Sequence, residues 1–265
     1  MNTFNNKKIV GVLLIALFMV FAFSMARHYM FYAEILEDKK NPIEVTEKSD
    51  FESLSNMEMN TLEQLGFSEK QINAVKEIDS EHLTLRDFIN IFEAYDKSVN
   101  PYDLVSSEIN LQQESNEGDF VEINVVPVET VYVDGKNKTF YTRLHYTVDF
   151  KKPMLFQSQD QFRLDFNEWY PWFGYAKLHY VSKKGDEYEE YVTREETGSY
   201  KGVPFNFEVR KQVDGKTFYL SGISGIYILS SQNFLSLYAE YDHKQLIRNK
   251  VLGKHRSDWD WIFEK

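Results

Sequence analysis

Ile9 to Ala26 is an 18-residue run without a charge. As a helix it spans about 27 Å at ~1.5 Å per residue, close to the roughly 30 Å hydrocarbon core of a bilayer. Water is a poor solvent for such a segment, so it is expected either to cross a membrane or to be removed during export. Lys7 and Lys8 stand directly before it, and a basic flank on so short a tail places the N-terminus inside. His28-Tyr29-Met30-Phe31-Tyr32 follows as an aromatic belt at the expected interface. The chain is therefore expected to be a single-pass protein of the cell membrane, with everything after about Tyr32 outside the cytoplasm. The rival reading is a signal peptide cut near Ala26, since Ser24-Met25-Ala26 offers small residues, and the product would be secreted. The run exceeds the usual apolar region of a cleaved signal, about 7–15 residues, which favours the anchor.

Charge divides the remainder. Residues 34–118 hold 20 Asp and Glu against 7 Lys and Arg, whereas residues 119–265 hold 21 against 20. The acidic segment repels phosphate backbones and anionic lipid headgroups, so nucleic acid is excluded as a partner. Cysteine is absent; a domain this long can bury a sufficient core without disulfides.

Periodicity divides the chain in the same place. Residues 60–95 read as short helices. Asn60 or Thr61 is expected to cap the first, with Gly66 ending it. Ser68-Glu69-Lys70-Gln71 is a capping box for the second, and Thr84-Leu85-Arg86-Asp87 caps a third. Leu85, Phe88, Ile89 and Phe92 form one apolar stripe at helical spacing. Helices this short need a surface to pack on. Residues 96–118 are polar and read as a linker. From Phe120 the period becomes two. In the clearest strand Phe140, Thr142, Leu144, Tyr146, Val148 and Phe150 face one way, and Tyr141, Arg143, His145, Thr147 and Asp149 the other. Asp134-Gly135, Lys184-Gly185-Asp186 and Asp214-Gly215 mark hairpins. The expected architecture is α+β and mainly β: a transmembrane helix (1–33), an acidic linker with short helices (34–118) and an antiparallel β-sandwich (119–265), with a β-barrel as the alternative. The strands are expected to keep one wet face.

No motif specifies a reaction, a cofactor or a metal. The most unusual stretch runs from Phe166 to Tyr175 and holds five aromatics within seven residues. Glu168, Trp169, Tyr170, Trp172 and Tyr175 are candidate binding residues there: exposed rings would stack on sugar faces while Glu168 accepted hydroxyl hydrogen bonds. The competing role is a corner whose aromatics plug the core. Asp258-Trp259-Asp260-Trp261 offers two carboxylates, too few for calcium. His145 and His179 fall on polar faces of expected strands, without metal-ligand spacing. No G-x-S-x-G occurs; Ser221-Gly222-Ile223-Ser224-Gly225 is the nearest approach. The leading expectation is a tethered, non-enzymatic module that binds a protein partner at the cell surface. The alternatives are a cell-wall or polysaccharide binder using the aromatic stretch, and an extracytoplasmic hydrolase with Asp165 and Glu168 as carboxylates.

Overall fold

A computed structural model describes residues 3–38, 54–78, 84–93, 104–106, 108–133, 139–153, 159–166, 170–193, 203–231, 235–244 and 249–262. The apolar run lies within one helix, α1 (Thr3–Asp38), of 36 residues. Three short helices follow: α2 (Met59–Gln64), α3 (Glu69–Glu77) and α4 (Leu85–Glu93). The strands are β1 (Leu104–Ser106), β2 (Glu108–Glu117), β3 (Val121–Val133), β4 (Thr139–Phe150), β5 (Gln159–Phe166), β6 (Tyr170–Ser182), β7 (Glu187–Thr193), β8 (Val203–Glu208), β9 (Arg210–Val213), β10 (Lys216–Ser231), β11 (Leu235–Lys244) and β12 (Asn249–Ile262). They form two antiparallel sheets, one in the order β1-β3-β4-β10-β6-β7 with β9 also on β10, the other β2-β12-β11-β5-β8. The result is a sandwich and not a closed barrel.

Alternation explains the inner layer. Val121, Ile123 and Val125 of β3 and Leu144, Tyr146, Val148 and Phe150 of β4 turn inward. They meet Phe162 and Leu164 of β5, Phe205 and Phe207 of β8, and Leu237, Ala239 and Tyr241 of β11 in one buried cluster. At the β9–β10 hairpin Asp214 and Gly215 have φ of 48° and 74°. Two successive positive φ values make the primed turn that matches strand twist, as the Asp-Gly pair leads one to expect.

Two tyrosines lie across glycines on neighbouring strands. A Cβ on Gly225 would come within 2.2 Å of the Tyr175 carbonyl oxygen and 2.4 Å of the Tyr146 hydroxyl. That open backbone lets Tyr146 reach over β10 and donate to the Tyr175 carbonyl at 2.7 Å. Tyr227 covers Gly174 in the same way.

The outer face of the larger sheet departs from the expected wet surface. Leu62, Leu65, Phe67, Ile72, Val75, Leu85, Phe88 and Ile89 of the helical segment pack on Val131, Tyr141, Phe173, Tyr175, Ile226 and Ile228 of the sheet. The Ser68–Gln71 capping box is present on α3. Thr84 and Asp87 cap α4 reciprocally, the Thr84 hydroxyl donating to Asp87 at 2.6 Å. A carboxylate from the sheet adds to that cap: Glu129 accepts from the Leu85 amide at 3.0 Å. Negative charge there also favours the helix dipole. The first helix differs from expectation, since Glu58 and not Asn60 or Thr61 occupies its N-cap, without a side-chain bond. Gly66 ends it at φ 88°.

Two further corrections concern the ends of the expected domains. The segment read as a linker over 96–118 carries β1 and β2, and β2 pairs with β12 from Glu108↔Ile262 to Glu117↔Lys254. Its polar composition reflects an edge strand and not a loop. At the other end, α1 does not stop at the aromatic belt. Tyr32 and Ile35 are buried in the sandwich core, with Phe31 and Leu36 packed beside them. The Tyr32 hydroxyl donates to the Leu220 carbonyl, and His28 Nδ1 lies 3.0 Å from the Tyr219 hydroxyl. Tyr32→Phe keeps the packing and removes that donor. It is expected to lower stability by about 1 kcal/mol, read as a shifted denaturation midpoint of the full chain in detergent.

Candidate functional site

The polar part of the larger sheet's outer face groups serine, histidine, lysine and acidic side chains. Register places Asn124, Thr147, Ser224, Lys177 and Tyr191 in one cross-strand row, and Glu122, Asp149, Gly222, His179 and Glu189 in the next. Within them the His179 ring bridges two groups: Nε2 is 2.8 Å from the Ser224 hydroxyl and Nδ1 is 3.2 Å from Glu189. Glu189 also accepts from Lys177 at 2.6 Å. A serine, an imidazole and a carboxylate in this order resemble the hydrogen-bond chain of nucleophilic hydrolases.

Their setting works against that chemistry. Ser224 lies in mid-strand, with β10 paired to β4 on one side and to β6 on the other. The ladder takes up the backbone amides beside Ser224, which an oxyanion would need as donors. Ser224, His145, Thr147 and Asp149 are buried, so the hydroxyl is screened from solvent, and the exposed end of the hydrogen-bond chain is Glu189. The chain of hydrogen bonds can hold and orient protons across β10, β6 and β7. Local sequence gave no sign of it, because its three members come from three strands.

A second constellation lies inside the sandwich. His243 Nδ1 is 2.8 Å from both carboxylate oxygens of Asp160, and the Tyr241 hydroxyl donates to the same carboxylate at 2.6 Å. Burial and the adjacent Asp160 push the Tyr241 phenol well above its ordinary range, which keeps it a donor. All three residues are buried, so the cluster pins β5 to β11 and offers nothing to a ligand.

The aromatic stretch divides. The backbone places Tyr170 and Trp172 on β6, while Glu168 and Trp169 lie outside the described residues. Tyr175 is 1% exposed, in ring contact with Phe173 and Tyr191 beneath the helical layer. Its faces are taken by protein, so the stretch sends at least this ring into the core. Asp165 pairs with Arg163 at 3.2 Å.

His145 and His179 share a face but are not neighbours. They sit opposite Ile226 and Gly222 on different flanks of β10. His145 is also buried, not solvated. Asp258 accepts from Ser236 and pairs with Arg256. Among the described residues, no three His, Cys, Asp or Glu side chains are grouped to hold a metal. The Asp134-Gly135 turn lies outside the described residues.

The fold thus defines an antiparallel β-sandwich with a helical layer and an apolar N-terminal helix. No family model matches the chain, and no curated protein matches it in sequence. Among solved structures, the KRT10-binding region domain of the pneumococcal serine rich repeat protein PsrP aligns over 55% of this chain and 98% of its own, at 11% identity and a TM-score of 0.25. A likeness so slight transfers nothing to this chain.

Proposed function

We propose that the chain is a single-pass, membrane-tethered module whose sandwich lies outside the cytoplasm and engages a protein partner without chemistry of its own. The observation that carries this reading is the division of α1. Val10 to Phe23 is exposed, with Leu17, Phe18 and Phe23 each more than 70% accessible, whereas Tyr32 and Ile35 of the same helix are buried in the sandwich. The first part needs a nonaqueous solvent and the second holds the domain against it.

Strand β2 supports a protein partner. Among the described residues it pairs on one side only, with β12. Its ten residues contain neither Pro nor Lys, the residues that commonly protect an edge. Glu108, Glu114 and Glu117 suit it to an extended segment bearing basic residues, added as a further strand.

Topology and partner are tested together. A reporter active only outside the cytoplasm, fused after Lys265, should be active. Activity of a cytoplasm-only reporter at the same position would reverse the topology, and recovery of a soluble chain beginning at Arg27 would remove the tether. A photoreactive residue at Gln112 should yield a discrete protein adduct in cells. No adduct from either Gln112 or Glu114 would sink strand addition at β2.

A further inference from the structure

Two cations from the sandwich converge on the point where α1 enters it. Lys183, in the turn after β6, holds its Nζ 4.5 Å from the Phe31 ring. The Arg210 guanidinium, at the start of β9, lies 6.0 Å from the Tyr219 ring. Tyr219 itself contacts His28, Phe31 and Tyr32 of the helix. Arg27 is on the helix beside them, one turn before Phe31. Asp186, directly before β7, and Glu190 of β7 are engaged elsewhere: Asp186 pairs with Lys216 at 3.1 Å, and Glu190 with Lys211. Among the described residues no carboxylate makes an ion pair with Arg27, Lys183 or Arg210.

The depth of this cluster follows from helix rise. Counted from Ala26, Arg27 stands about 1.5 Å and Phe31 about 7.5 Å beyond the apolar run. The headgroup layer on one side of a bilayer is about 5–8 Å thick. The three unpaired cations therefore fall at headgroup depth, where an anion is the missing counter-charge. Aromatic faces hold two of them in place, which lowers the entropy lost on binding.

We propose that Arg27, Lys183 and Arg210 form a binding site for the phosphate of an anionic phospholipid in the leaflet on the sandwich side. This rests on the reading of α1 as a membrane span. Such a site fixes the rotation of the sandwich about the helix, because only one flank carries the cations.

Native mass spectrometry of the full chain, purified in detergent with equal phosphatidylglycerol and phosphatidylcholine, tests the proposal. The wild type should retain phosphatidylglycerol in preference. Each neutralised cation should lower the preference about fivefold, so Lys183→Gln with Arg210→Gln should nearly abolish it. Lys70→Gln, on the helical layer, should leave it unchanged. Equal retention of the two lipids by the wild type, or an undiminished preference in a double variant that melts normally, would overturn the site. Alkaline extraction of membranes separates this failure from that of the span. A chain released by alkali loses both readings, whereas an integral chain without lipid preference loses only the headgroup site.

Discussion

A fragment spanning residues 119–265 is expected to lose its cooperative thermal transition and to bind a hydrophobic dye, while a fragment spanning 27–265 melts as one unit. The shorter piece contains most of the strands, yet it lacks what covers them. Without α2, α3 and α4, the side chains of Val131, Tyr141, Phe173, Tyr175, Ile226 and Ile228 lose their partners. Burying one large apolar side chain is worth about 1.5–3 kcal/mol. Six of them, if fully bared, come to about 9–18 kcal/mol, comparable with the whole stability of a typical domain, roughly 5–15 kcal/mol. The cut also removes β2, baring the edge of β12 from Lys254 to Ile262, and takes Tyr32 and Ile35 from the inner cluster. Circular dichroism melts and dye fluorescence of the two fragments read the outcome. A sharp transition of the 119–265 fragment within a few degrees of the longer one would show that the sandwich is self-sufficient.

Gly225→Val is expected to destabilise the chain by about 3 kcal/mol or more. The new Cβ would stand 2.2 Å from the Tyr175 carbonyl oxygen, a backbone atom of a central strand that cannot step aside. Overpacking of a core typically costs about 1–3 kcal/mol. Displacing Tyr146 also breaks its hydrogen bond to that carbonyl, worth about 1 kcal/mol more. Near-ultraviolet circular dichroism should report the displaced tyrosine, and a denaturant titration the loss of stability. An unchanged midpoint would mean that the tyrosine ring and the strands shift without strain.

Both results depend on contacts that the sequence shows unevenly. The apolar run, the Ser68 and Thr84 caps, the alternation of β3 and β4 and the Asp214-Gly215 turn are local signals, and each appears where its chemistry predicts. Strands β2 and β5 carry weak local signals for a physical reason. An edge strand can be polar on both faces, so Glu108–Glu117 reads as a loop, and Asp160 in β5 looks exposed until His243 and Tyr241 meet it. The outer face of β4 misled in the same way. Arg143, His145 and Asp149 look solvent-facing by alternation, but burial is decided by elements far away in the chain. Tyr32 belongs to the core and not to an interface belt, and Phe31, Tyr32, Ile35 and Leu36 form a helical stripe beyond the apolar run that carries this role. The Ser224–His179–Glu189 row had no local signature, since only strand pairing assembles it. In the aromatic stretch, composition announced an unusual segment without saying which rings would be covered.

The splice between α1 and the sandwich has a mechanical consequence. A domain on a flexible tether would be indifferent to the orientation of its span. Here the hydroxyl of Tyr32 and the ring of His28 fasten the helix to β10, so the two pivot as one lever. Transmembrane helices tilt by about 20° on average, and more as a bilayer thins. For a rigid body reaching about 40 Å from the pivot, the length of about 12 strand residues, that angle sweeps the far rim through about 15 Å. With α1 as the proposed span, bilayer thickness would thus be converted into the position of the end of β10 that carries Ile226 and Ile228, on which the helical layer packs.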